Sequence, residues 1–171
     1  MELKLTIIKK CIINQDWIGW LNDKDVTKYS NNRLKKHSRS SQRKFLKRKL
    51  KDKTCILYKI IYEKKSIGII EISKINNFHK TCEFTYMIGE KEYWNKGIGT
   101  KFITLALKIA FNNLSMEKVN VGIYGNNKGS EKILMKNGFK REGKLQNYYK
   151  ISKSKRVDRI LFGIIKKKFK L

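Results

Sequence analysis

The stretch 81–111, TCEFTYMIGEKEYWNKGIGTKFITLALKIAF, constrains this chain more than any other. Residues 83–88 mix aromatic and β-branched side chains without a breaker, as a strand does, and Gly89 ends the run. A helix starts near Gly97. Ile98, Phe102, Leu105 and Ile109 recur at helical spacing, with Ala106 and Ala110 widening the stripe, so one face is built for a core. Between strand and helix lie Trp94, Asn95, Lys96, Gly97, Ile98, Gly99 and Thr100. The two glycines let the backbone turn sharply and let a ligand approach the main chain. The first N–H groups of a helix lack intrahelical partners and carry the positive end of its dipole, so this turn suits a phosphate or pyrophosphate. Lys96 and Lys101 add charge. Glycines also serve such a turn for steric reasons alone. No Lys-Ser/Thr pair follows them as in a P-loop, and no third glycine completes a dinucleotide fingerprint, so both nucleotide readings fall.

At 171 residues, the chain suits one domain, 1–171, with a sizeable core. Forty per cent hydrophobic residues is enough for a folded protein, despite a formal net charge of +27. Such charge ordinarily points to nucleic acid or an anionic membrane. Here lysine is spread along the whole chain and proline is absent, which reads as compositional drift. The basic stretch 33–53 interleaves its charges with Leu34, Phe45, Leu46 and Leu50, as a solvated helix face does. Cys11, Cys55 and Cys82 form no Cys-x-x-Cys pair, so neither a disulfide framework nor a metal site is indicated and a reducing cytoplasm fits. Lysines interrupt the apolar residues of 1–14, and no signal peptide or membrane span is expected.

Along the chain, residues 3–13 read as a first strand. The stretch from Asp16 to Asp23 is expected to begin one helix and a second to run from Gln42 to about Lys51, capped by Ser40 or Ser41; the segment 24–39 has no clean period. Residues 54–62 and 66–75 read as a hairpin, which makes the sheet antiparallel up to Ile88. Strands follow at 118–124, 139–149 and 156–165, and a short helix at 130–137 is closed by Gly138.

The segment from Trp94 to Gly99 resembles motif A of the GNAT acyltransferase superfamily, Gln/Arg-x-x-Gly-x-Gly/Ala after the fourth strand, with Trp94 at the Gln/Arg position. Asn127 and Ser130, followed by Leu134, Gly138 and Phe139, resemble motif B, Asn-x-x-Ser/Ala leading to a helix that ends in Gly-Phe. The Tyr-Trp-x-Lys-Gly-x-Gly-Thr wording is similar to the branch with ribosomal-protein and sugar N-acetyltransferases. The resemblance implies an α/β (α+β) GNAT fold: a mixed, largely antiparallel sheet of six to seven strands with about four helices, splayed at the acetyl-CoA site. It implies acetyl-CoA as co-substrate, no metal, and direct attack by a primary amine in a ternary complex. Amides of Asn95, Lys96, Gly97, Ile98, Gly99 and Thr100 would hold the pyrophosphate; main-chain groups of Met87 and Ile88, and the side chain of Asn127, would hold the pantetheine arm.

The family often has a tyrosine acid where this chain has Leu134. Ser130 is the favoured replacement, with Tyr149 and Tyr148 as alternatives and a helix cap as the plain structural role of the serine. Glu83 and Glu71 are expected on strands lining the acceptor side, Glu83 being the favoured base, and His79 is a further candidate. Asn77, Phe78 and His79 lie in a stretch resembling enzymes that acetylate nucleotide-linked amino-dideoxy sugars of the pseudaminic acid type, where it borders the acceptor. The favoured acceptor is therefore a UDP-linked amino sugar destined for a surface polysaccharide or flagellar glycan. A ribosomal or other protein N-terminus is the rival, and a homodimer is compatible with either. A non-catalytic nucleic-acid-binding module is the least favoured reading, since the aromatic residues fall inside apolar runs.

Overall fold

The computed structural model describes residues 2–169. Seven strands form one sheet in the order β1-β2-β3-β4-β5-β7-β6. They are β1 (Leu3–Ile7), β2 (Ile56–Tyr62), β3 (Lys65–Asn76), β4 (Thr81–Ile88), β5 (Lys118–Tyr124), β6 (Lys140–Lys150) and β7 (Arg156–Ile165). Every neighbouring pair is antiparallel except β4 and β5. The α-helices are α1 (Gln15–Asn22), α2 (Lys24–Thr27), α3 (Arg39–Lys51), α4 (Ile98–Lys108) and α5 (Lys128–Lys136).

Helix α4 makes the crossover from β4 to β5 and packs Phe102, Ile103, Ala106 and Leu107, all fully buried, on one sheet face beside Leu134 of α5. The buried face is turned from the expected stripe, for Ile103 and Leu107 join it while Leu105 and Ile109 are only partly buried. The other face is covered by α1 and α3, through Trp17, Trp20, Leu21 and Leu46 on Leu57 and Ile69. Strand β3 is therefore apolar on both faces, with Ile70 and Ile72 towards α4 and Ile69 towards α3. A register shift at Ile60/Ile61 also turns Ile67 to the α4 side.

The expected elements differ from those observed mainly at their ends. Strand β1 stops at Ile7 rather than continuing to residue 13, because its partner β2 begins at Ile56; the last link is Ile8 N–H to Leu57 O, 2.8 Å. Helix α3 begins at Arg39, since Ser38 rather than Ser40 or Ser41 caps it, in a reciprocal box with Ser41. The segment without a clean period holds α2 and a single 3₁₀ turn, Asn31–Leu34, each started by a side-chain cap, from Asp23 and Ser30. Such short pieces are set by capping, which leaves no periodicity to read.

Candidate active site

The parallel ladder between β4 and β5 is short. It pairs Thr81, Cys82 and Glu83 with Lys118, Val119 and Asn120, after which the strands part. From Phe84 onward β4 has an edge without a strand neighbour. Gly89 donates its N–H to Ile67 O of β3 at 2.8 Å, so by strand alternation Ile88 and Tyr86 turn their main-chain groups to the open edge while those of Met87 face β3. The expectation for Met87 is corrected accordingly: its main-chain groups are turned to β3, and those of Tyr86 and Ile88 face the open edge. The Ile88 carbonyl is already engaged by Trp94 Nε1 at 2.9 Å, which leaves the Ile88 N–H as its ligand group. Trp94 thus braces the turn against β4 instead of serving as the polar residue usual at that motif position.

Two residues of the turn, Asn95 (φ 59°) and Gly97 (φ 76°), are left-handed, and Gly97 is the N-cap of α4 without a side-chain hydrogen bond to the helix. The amides of Ile98, Gly99 and Thr100 consequently await an acceptor. A Cβ at Gly97 would meet open space, whereas one at Gly99 would lie 2.5 Å from Ile133 Cδ1. The glycines therefore differ in purpose: the first sets the backbone and the second lets α4 pack on α5. Asn95, Gly97, Gly99 and Thr100 line the cavity, while the Ile98 side chain is core and Lys96 lies over the Tyr93 ring at 5.8 Å.

Facing this turn across the splay, the Tyr86 hydroxyl meets Ser130 Oγ at 2.6 Å. Burial pushes the Tyr86 phenol up to about 12, against a smaller downward pull from Ser130. Leu134 is fully buried in the core, so the phenol that the motif leaves out of α5 arrives instead from β4. Sequence reading missed Tyr86 because it alternates with Cys82 and Phe84 on the buried face and its ring packs edge-on against Phe102, 5.4 Å away. A hydroxyl on that face, at a strand end, was the available signal. Asn127 caps α5 by accepting from Ser130 N–H at 3.1 Å, so its amide NH₂ is the group left for a ligand.

The cavity, of about 840 Å³, continues through the splay to the opposite sheet face. Thr85 and Met87 of β4, Glu71 of β3, and Ser41, Gln42 and Phe45 of α3 wall that side. Glu71 is paired with Lys49 at 2.7 Å, with their side chains 15% and 18% exposed. Gln42 is buried and its Nε2 has no partner among the described residues, which makes it a donor for a ligand. Buried His37 also lines the cavity, but Nε2 is spent on Asn32 O at 3.0 Å.

Several expected site residues lie elsewhere. Glu83 is not part of the cavity wall; it pairs with Lys74 at 2.9 Å, before the splay opens. Asn77, Phe78 and His79 form the β3–β4 turn, at the end of β4 opposite Ile88, with Phe78 88% exposed and His79 against its ring. Tyr149 is stacked on Tyr124 at 3.7 Å and stands outside the wall, while Tyr148 is exposed. Glu83 shares a face of β4 with Thr85 and Met87 but lies in the paired part of the ladder, and at about 3.3 Å per residue the β3–β4 turn is farther still from residues 85–88, while Tyr148 and Tyr149 stand on β6. Among the described residues no three His, Cys, Asp or Glu gather to hold a metal ion, and no helix is long and apolar enough to cross a membrane.

The chain is similar to several known proteins. The Escherichia coli (strain K12) spermidine N(1)-acetyltransferase is 32% identical over 85 residues, 50% of this chain and 45% of that protein. The Bacillus subtilis (strain 168) uncharacterized N-acetyltransferase YoaA is 28% identical over 85 residues, covering 50% and 48%. The matched stretch thus spans about half the length of these curated relatives. A Vibrio cholerae spermidine N-acetyltransferase, solved in complex with CoA and spermine, shares the fold with a TM-score of 0.84 at 20% identity, covering 97% of this chain and 96% of that one. The superfamily indicated by the two motifs is the one found; the relatives named above with an assigned substrate are spermidine enzymes, which lends no support to the ribosomal-protein or amino-sugar branch. Residues 14–140 match the family described as acetyltransferase (GNAT) domain, and on a match of that extent the chain belongs to the GNAT acetyltransferase family.

Proposed function

We propose that this chain is an acetyl-CoA-dependent N-acetyltransferase acting on a primary amine by direct transfer in a ternary complex. The observation that carries the reading is the Tyr86–Ser130 hydroxyl pair at the mouth of the splay, opposite an α4 N-terminus without a side-chain cap. Acetyl-CoA would supply the activated acetyl group. The amides of Ile98, Gly99 and Thr100 would hold its pyrophosphate, and the Ile88 N–H at the open edge of β4 would donate to the thioester oxygen, where negative charge develops. Tyr86, protonated throughout the working range, donates to the leaving sulfur as the C–S bond breaks and the N–C bond forms, with Ser130 orienting the phenol. Glu71 takes the role first given to Glu83, receiving the amine proton directly or through water.

The acceptor follows from charge. Among the described residues both carboxylates on the cavity wall are already in ion pairs, Glu71 with Lys49 and Asp25 with Lys91, and the remaining wall charges are Lys28, Lys35, Lys132 and Lys136. This supports an amine on a neutral or anionic carrier, such as a nucleotide-linked amino sugar, over a polycation. The second reading is spermidine, favoured by the named relatives. Calorimetry with acetyl-CoA tests the donor site; thiol release with a UDP-amino sugar, spermidine and a ribosomal N-terminal peptide then sorts the acceptors. Turnover highest with spermidine would reverse the charge argument, and no acetyl-CoA binding would end the enzymatic reading.

A further inference from the structure

A second cavity of about 840 Å³ adjoins the first, between the α1–α3 segment and the β5–α5 turn, and its size is that of a small-molecule site. Its wall carries Lys24, Lys28, Arg33, Lys35 and Lys36 and, among the described residues, no carboxylate. The acids closest in sequence, Asp23 and Asp25, are committed to Lys91 at 2.8 and 3.1 Å. None of the five cations is in an ion pair among the described residues.

Arg33 makes this more than a cluster of surface lysines. Its Nη1 donates to Ser30 O at 2.8 Å and to the Tyr124 hydroxyl at 2.7 Å, and its Nη2 donates to Lys150 O at 2.7 Å. The guanidinium also lies over the Tyr124 ring, 5.3 Å from its centroid. The charge is thereby fixed in position, while Nε–H and one Nη2–H remain for a ligand. Like charges gathered at one concavity raise its potential, and an anion with two or more charges relieves it.

The geometry points to a binding site for a diphosphate in this second cavity, held by Arg33 and the lysines around it. Leu21, Lys28, Tyr29 and Lys35 belong to both cavities, so a bound diphosphate would sit against the wall of the acceptor site. The diphosphate comes either as part of the amine acceptor or as a separate effector. The first source rests on the acetyltransferase reading; the anion site itself does not.

Titrating inorganic pyrophosphate into protein saturated with CoA tests this, because CoA occupies the α4 turn. The preceding CoA titration reports separately whether the donor site exists, and if CoA fails to bind, pyrophosphate is titrated into the variants alone. Lys24→Glu/Lys36→Glu changes two exposed side chains of the cavity, and Lys108→Glu/Lys140→Glu makes the same charge change at exposed positions outside its wall. The expected result is binding to the wild type, about tenfold or more weaker in the first double variant and within about twofold of wild type in the second. No binding to the wild type, or equal losses in two variants that melt like the wild type, overturns the site and assigns the effect to diffuse charge. Where pyrophosphate binds, competition with the amine identifies the acceptor as the source, and a change in kcat without competition identifies a separate effector.

Discussion

The two sides of the cavity proposed for donor and acceptor are built in opposite ways. The donor side runs through contiguous residues 88–100 and offers mainly main-chain N–H groups, from Ile88 at the open edge of β4 and from Ile98 to Thr100 at the start of α4. The acceptor side uses side chains from separate elements, among them Glu71 of β3, Thr85 of β4, and Gln42 and Phe45 of α3. A main-chain site tolerates sequence change as long as the backbone path survives. A side-chain site can be recast by one substitution.

The largest effect should come from attacking the backbone path. Gly97→Glu adds left-handed strain of about 1–2 kcal/mol and a negative charge beside the pyrophosphate, and should weaken CoA binding by about a hundredfold in calorimetry. Retained affinity would break the contrast, because the turn would then not be a main-chain anion site. Gly99→Ala instead drives a Cβ towards the Cδ1 end of the Ile133 side chain, which can turn away, while alanine favours the helix by up to about 1 kcal/mol, so stability should stay within about 1 kcal/mol in thermal melts.

Next in size is the hydroxyl pair where the two sides meet. Tyr86→Phe should lower kcat by about a hundredfold with acetyl-CoA affinity unchanged, and Ser130→Ala by about tenfold, since the serine acts through the phenol. Because burial raises the Tyr86 pKa, its proton-bearing form persists until about pH 12. The pH profile of kcat/KM should therefore rise as the amine deprotonates and show no falling limb near 10, the ordinary tyrosine value.

Smaller effects should separate the acceptor wall from the residues outside it. Glu71→Gln leaves Lys49 partly buried without its carboxylate and should cost about 1–3 kcal/mol of stability together with about tenfold in kcat/KM. Glu83→Gln and Phe78→Ala should leave kcat/KM unchanged and stability within about 0.5 kcal/mol. A loss of turnover in either would return the β3–β4 turn to the acceptor site. The smallest effect concerns Glu90, whose carboxyl is held below its usual 4.5, mainly by Lys65 and also by Trp20. A depressed folded pKa gives stability that is present above 4.5 and lost as the pH falls through the folded value. Acid melts of Glu90→Gln should therefore lose part of that slope.

Most of the fold could be read from the chain because local rules and tertiary packing agree there. Helix α4 has a helical period, and β2, β3 and β7 are apolar runs bounded by turn residues that the sheet buries. The candidate site was legible only where it is made of contiguous backbone. Glu83 and Glu71 look alike in the sequence, and only the end of the β4–β5 ladder distinguishes the one before the splay from the one at the cavity.

The sequence by itself determined the strand, turn and helix of residues 81–111, since glycine conformation and helical periodicity are local properties. It also determined, through the motif A and motif B residues, the superfamily to which the chain belongs. Tertiary structure alone decided that β7 inserts between β5 and β6, that Tyr86 meets Ser130 across 44 positions of sequence, and that Arg33 is locked onto Tyr124. Those contacts follow from how faces stack and where strands part, and no residue pattern within one element carries that information.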